Sequence, residues 1–289
     1  MPGRYGIPNH GSITRPHGAH ARDERMVATG KRQPKQSREE LRAMLVETGR
    51  AILREEGMGT GAEALTFKRV FERVERDRGV RLTNASIIKR VWDNQAEFQT
   101  DVLIAIAADE GVSEFNQTLD ALDSVFEDID LSTPEARWSA LGEVCRVGGA
   151  ANMVALMESP NWPSWIGVWT LTTAGELPEQ RKRIDEALRD GYGAFTVHFE
   201  QAYLGLAGRL GLRLRKPLTI RQLTIAVGAL AEGCALRARV DPAPMNGIMR
   251  STGSNGDEQE WTLFGIGLEA LTHQFFEIDT DADLPDRDG

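Results

Sequence analysis

A chain of 289 residues, 41% of them hydrophobic, has enough apolar material for a real core and suits one large or two modest domains. Its two cysteines, Cys145 and Cys234, stand far apart with no Cys or His at metal-ligand spacing, and no apolar run approaches 18 residues, which argues against a disulfide scaffold, a zinc module and a membrane span. The formal net charge of -9 speaks against a nucleic-acid partner only until it is divided along the chain: residues 1–108 carry 19 Lys and Arg against 14 Asp and Glu, a balance of +5, whereas residues 109–289 carry 15 against 29, a balance of -14.

Residues 1–36 are rich in Gly, Pro, His, Arg and Ser and have almost nothing bulky to bury, so they are expected to be a disordered basic arm, either a solvated tail or a segment that follows DNA phosphates. Order is expected from Ser37, which with Glu40 forms a capping box ahead of a helix marked by Leu41, Met44, Leu45, Thr48 and Ile52. Gly57, Gly59 and Gly61 end that helix. Thr66 then caps a second helix with Phe67, Val70, Phe71 and Val74 on one face, and Gly79 ends it. A short third helix follows, with Ile87, Ile88, Val91 and Trp92 along one apolar edge and Ser86, Lys89 and Arg90 pointing elsewhere. Such a helix, held by a narrow edge and polar or cationic on its free side, has the form that enters a major groove. Asn94 and Glu97 repeat the capping pattern before a fourth helix carrying Phe98, Val102, Leu103 and Ile106.

Taken together, a first helix ending in EEG, a Thr opening the second, the run SIIKRVWDNQAEF before an apolar helix, and a long helical remainder resemble the TetR family of bacterial regulators. Trp92 matches that family's aromatic position, Asp93 and Asn94 its turn, and Glu97 and Phe98 its acidic and apolar pair. Lys89 stands where Tyr is usual and Gln95 where Lys is usual, and the segment ERDRGVRLT, residues 75–83, is longer than the family's tight turn. The resemblance implies a helix-turn-helix DNA-binding domain over 37–108. Arg90 and Asn84 are then expected at base edges, because a guanidinium suits guanine and a carboxamide adenine. Ser37, Thr66, Thr83, Lys89 and Gln95 are expected at phosphates, with Arg81 and Ser86 beside them.

Residues 109–289 are expected to be a helical effector-binding and dimerisation domain, with helices over 113–128, 135–158, 164–173, 179–209, 219–239 and 258–277 and almost no strand. Thr133 with Pro134, and Thr219 with Gln222, mark two of the starts. The last two helices resemble the pair that makes a four-helix dimer interface in the same family. One offers a small-residue face of Ile225, Gly228, Ala229, Glu232 and Ala235, the other a bulky face of Phe264, Leu268, Leu271 and Phe275; either face also suits the core of a monomer. The intervening 240–257, rich in Pro, Gly, Ser and Asn, reads as a long mobile loop. Trp162, Trp165 and Trp169 share a helical face, preceded by Met153 and Met157, and Phe195, His198, Phe199 and Tyr203 lie on a candidate facing helix. These nine residues suit the wall of a pocket for a small apolar or aromatic effector, and equally an ordinary core.

The fold expected is therefore all-α, and the function that of a cytoplasmic DNA-binding regulator, a ligand-responsive repressor acting as a homodimer on double-stranded DNA. No cofactor, metal or membrane is called for. An enzyme is disfavoured by the absence of HExxH, GxSxG and phosphate-loop motifs. The rival reading is a helical protein-interaction module without sequence-specific DNA binding.

Overall fold

The computed structural model describes residues 37–58, 65–84, 87, 90–108, 112–127, 130–172, 179–252 and 256–282. The expected basic arm lies outside them, as do Ser86 and Lys89. Helix α1 (Arg38–Glu56) opens with the capping box, the Ser37 hydroxyl accepting from the Glu40 N–H at 3.1 Å and the Glu40 carboxylate accepting from the Ser37 N–H at 2.8 Å. Helix α2 (Phe67–Arg78) starts on the Thr66 hydroxyl and ends at Gly79, whose left-handed backbone (φ 66°) a side chain would strain. Helix α3 (Gln95–Ala107) starts on Asn94, which accepts from the Glu97 N–H at 3.0 Å; the Glu97 carboxylate reaches back one residue further than expected, to the Asp93 N–H.

These three helices close a core in which Leu45, Val70, Ile87, Phe98 and Val102 are fully buried. Its centre is aromatic: the Phe67 ring stacks on Phe98 at 5.2 Å, and Trp92 meets Phe98 edge-on at 4.9 Å. Gly49 allows α1 and α3 to cross closely, since a Cβ there would come within 2.7 Å of Val102 Cγ2. The core does not stop at residue 108. Val168, Ile184 and Leu188, all from later helices, belong to the same cluster.

The remaining helices are α4 (Val112–Glu127), α5 (Pro134–Glu158), α6 (Trp162–Thr172), α7 (Glu179–Arg209), α8 (Ile220–Ala238) and α9 (Leu263–Phe275). Thr133 and the Thr219–Gln222 capping box begin α5 and α8 as the sequence predicts. A second core gathers Leu141, Val144, Leu210, Leu223, Trp261 and Phe264. Within it α5 and α9 touch through glycines: a Cβ on Gly149 would lie 2.7 Å from the Gly265 Cα.

The chain is mostly helical, but four short strands among the described residues depart from the expected pattern. Strand β1 (Leu212–Leu214) pairs antiparallel with β4 (Phe276–Ile278), and β2 (Ile248–Thr252) pairs antiparallel with β3 (Asp257–Trp261), Ile248 opposite Trp261. Strand β2 and the first residue of β3 fall within the segment expected to be a mobile loop, and the hairpin moves the start of the last helix from 258 to Leu263. One residue secures it. Trp261 is buried, its indole N–H donates to the Thr252 hydroxyl at 2.7 Å, and the Arg250 guanidinium lies over its ring while pairing with Glu269 on α9. Among the described residues no helix is long and apolar enough to cross a membrane.

Candidate functional site

Between α2 and α3 the chain forms a helical turn, the Val91 N–H bonding to the Ile87 carbonyl at 2.8 Å. Ile87, Val91 and Trp92 are buried beneath it, and Arg81, Thr83 and Asn84 are exposed beside it, with Arg90 half-buried. Of the predicted apolar edge Ile87, Val91 and Trp92 are thus buried, while Ile88 of that edge and Ser86 and Lys89 of the predicted polar face lie outside the described residues. Other residues named for phosphate contact have structural partners. Ser37 and Thr66 cap their helices, and the Gln95 carboxamide oxygen accepts from the Phe67 N–H at 3.2 Å, closing the α2 N-terminus from the first turn of α3. Along α2, Arg69 is paired with Glu56, and Arg73 is chelated by Glu55 at 2.6 and 2.8 Å and also bonds Asp77. The Arg73 hydrogen bond holds the Glu55 carboxyl below its ordinary range.

Asp101, which the sequence did not single out, joins the part of the chain up to residue 108, here the head, to the later helices, the body. Its side chain on α3 is only 7% exposed, and one carboxylate oxygen accepts from the Trp92 indole N–H at 2.6 Å and from Arg42 of α1 at 3.0 Å. The other oxygen accepts from Arg183 of α7 at 3.1 Å. A buried carboxylate is tolerable when its lone pairs are answered in this way. Gly191 completes the joint: a Cβ there would meet the Ala107 carbonyl at 2.7 Å, so α7 lies directly against the end of α3.

Farther along, α7 forms one wall of a cavity of about 170 Å³ in the body, shared with α4, α5, α6, α8 and α9. Trp162, Trp165, Phe195, Phe199 and Tyr203 line it, as expected; Met153, Met157, Trp169 and His198 do not. Met153 is packed in the second core, and the Met157 carbonyl accepts from Arg239. Trp169 packs between Trp165 and Tyr192 on the side of the first core, and His198 meets the outer edge of Phe115. Phe115 is an aromatic wall residue that the sequence did not reveal. It stacks on Phe199 at 3.7 Å, and it sits alone in its stretch of α4 without the clustering that drew attention to the tryptophans.

The polar part of the lining is sparse. The Thr224 and Thr272 hydroxyls donate to carbonyls of their own helices. Cys145 lies 3.5 Å from the Thr272 hydroxyl, and burial pushes its thiol up to about 12, so it stays protonated. Burial likewise raises the Tyr203 phenol, and burial followed by the nearby Glu232 charge raises that of Tyr192.

The two faces named for dimerisation differ. On α8, Ile225 is 45% exposed and Ala229 is exposed, whereas Gly228 and Glu232 are half-buried and line the cavity and Ala235 is buried; the neighbouring Leu236 is also 45% exposed. On α9, Phe264 is buried and Leu268, Leu271 and Phe275 pack into the second core. No protein-family model matches the chain, and no curated protein and no solved structure does either.

Proposed function

We propose that the chain is a TetR-like transcriptional regulator, a ligand-responsive repressor that reads a palindromic operator as a dimer. The observation that supports this most is the course of α7. Near its start it meets the head through Arg183, Ile184 and Leu188, and farther along Tyr192, Phe195, Phe199 and Tyr203 line the cavity. A ligand that prefers one placement of α7 over another would alter the placement of the head, in proportion to that preference. The exposed Ile225, Ala229 and Leu236 stripe on α8 is the face offered to a second copy.

In this reading the turn around Asn84 to Arg90 enters the major groove, with Arg90 and Asn84 at base edges and Arg81 and Thr83 near phosphates. The rival reading, an interaction module without sequence-specific DNA binding, has two observations in its favour: Glu55, Glu56 and Asp77 pair with Arg69, Arg73 and Arg76 of α2, and Gln95 is committed to the Phe67 N–H.

Selection of bound sequences from a random duplex library decides between the two. The expected winner is a palindrome whose affinity falls steeply with salt, by about one unit of log K per unit of log salt for each phosphate contacted. Arg90→Ala should then weaken binding to that winner by about 1–3 kcal/mol per half-site and relax its sequence choice, while loss of Lys89 weakens all sequences alike. A folded protein that enriches no sequence overturns the proposal in favour of the interaction module.

A further inference from the structure

From the chemistry of the cavity lining we infer that the ligand is an aromatic or aliphatic ammonium compound, its apolar body against the aromatic wall and its cationic head toward Glu232. The inference rests on reading the cavity as the effector site and deepens that reading. The lining contains one carboxylate, Glu232, and no Lys, Arg or His. Among the described residues no ion pair or hydrogen bond answers that carboxylate, whereas Glu55, Glu143, Glu200 and Glu269 each pair with an arginine. Its only resolved influence is burial, which raises its carboxyl above the ordinary range.

A second observation points the same way. Asn152 lines the cavity with a carboxamide oxygen that is buried and has no donor, while its nitrogen is within 3.5 Å of the Thr118 hydroxyl. A buried acceptor without a donor is unfavourable in a closed core and favourable in a site that waits for one. Both unanswered groups are acceptors, so the missing partner is a donor, and the lone carboxylate asks for a charged one. The rest of the lining is mostly apolar, with Phe115, Trp162, Phe195 and Phe199 as its aromatic part. As for size, a cavity of about 150 Å³ accepts one benzene ring. At about 170 Å³ this one holds a single ring with a short aminoalkyl chain.

The test uses the full chain and three probes of one skeleton, 2-phenylethylamine, 2-phenylethanol and 3-phenylpropionate, with binding read by calorimetry and by quenching of tryptophan fluorescence. The amine is expected to bind about tenfold more tightly than the alcohol, as one charge-assisted hydrogen bond supplies, with the acid weakest. Glu232→Gln should abolish the amine's advantage and leave the affinity for the alcohol within about twofold. Equal or tighter binding of the alcohol, retention of the amine preference in Glu232→Gln, or no binding of any probe overturns the inference; the wild-type series decides even where the variant fails to fold. Adding the selected operator separates the two readings. Amine binding that leaves DNA affinity unchanged would uphold the ligand chemistry and refute the regulator.

Discussion

The two cores of this chain solve the same packing problem in opposite ways. Around Phe98 the first is filled: the Phe67, Trp92 and Phe98 rings meet one another and Phe71 stacks on Phe67, Gly49 is pressed against Val102, and even the buried charge of Asp101 has three donors. The second borders a cavity of about 170 Å³, in which the Asn152 carboxamide oxygen is buried without a donor. A filled core fixes the geometry of the segment above it, whereas a hollow one gives up packing energy to keep room for something else. Helix α7 belongs to both, and so the cost of the second is coupled to the rigidity of the first.

The largest expected difference is in ring truncation. Phe98→Ala should lose about 4 kcal/mol, because close-packed neighbours leave a new void behind it. Phe199→Ala, which only enlarges a void already present, should lose about 2 kcal/mol. Urea unfolding of both variants measures the contrast, and equal losses would mean that the body is as tightly packed as the head. Next comes Asp101→Asn, which removes the charge that Arg42, Arg183 and Trp92 share. The expected loss is about 2–3 kcal/mol, below that of a fully buried pair because both guanidinium groups are about half exposed and can rehydrate. A loss under about 0.5 kcal/mol would show that the joint between head and body does not rest on this carboxylate.

A pair of glycine substitutions tests the same contrast with one methyl group. In Gly49→Ala the new Cβ would overlap Val102 Cγ2, and the expected cost is about 1–3 kcal/mol. In Gly228→Ala, on the cavity side of α8, nothing lies within 4 Å of the new Cβ, so the helix should gain about 0.5–1 kcal/mol from its better propensity. Thermal unfolding should therefore move in opposite directions. Two losses of similar size would mean that the space beside Gly228 is filled in solution.

How much of this was readable beforehand depends on which interactions were local. Caps and apolar stripes are written within a few residues of one another, so the starts at Ser37, Thr66, Thr133 and Thr219 and the buried sets of α1 to α3 follow from spacing alone. The hairpin was hidden because only one end of it touches the core: Trp261 is its single large buried side chain, so neither strand alternates. The cavity was half legible. Trp162, Trp165, Phe195, Phe199 and Tyr203 advertise themselves by aromatic clustering, but whether a given face of α5, α6 or α7 meets packed core or empty volume is settled by contacts between residues far apart in sequence, and this is what removed Met153, Met157, Trp169 and His198 from the wall. Asp101 was illegible for the same reason. It sits among Phe98, Val102 and Leu103 as the one acid of an apolar stretch, and its three partners come from residues 42, 92 and 183.

The smallest expected effect is also the most specific to the hollow core. Because burial raises the Glu232 carboxyl in the native state, the folded protein holds that proton more tightly than the unfolded chain does. Below the ordinary carboxylate range both states are protonated and the residue contributes nothing to pH dependence. As pH rises from that range toward the raised native value, unfolding releases a proton, and stability falls until the native carboxyl also ionises. Of the groups around it, the Tyr192 phenol on α7 is raised above its ordinary value, first by burial and then by the Glu232 charge, and Arg221 on α8 pairs with Glu200. Glu232→Gln has no charge to desolvate, so it should be more stable than the wild type at neutral pH and converge with it in acid, as urea midpoints across the pH range would show. A saturating ammonium ligand should remove the wild type's deficit, because the carboxylate then has its partner. A difference between the two proteins that stays constant with pH would mean that Glu232 is solvated in the native state, and the body would lose the feature that most separates its core from the head's.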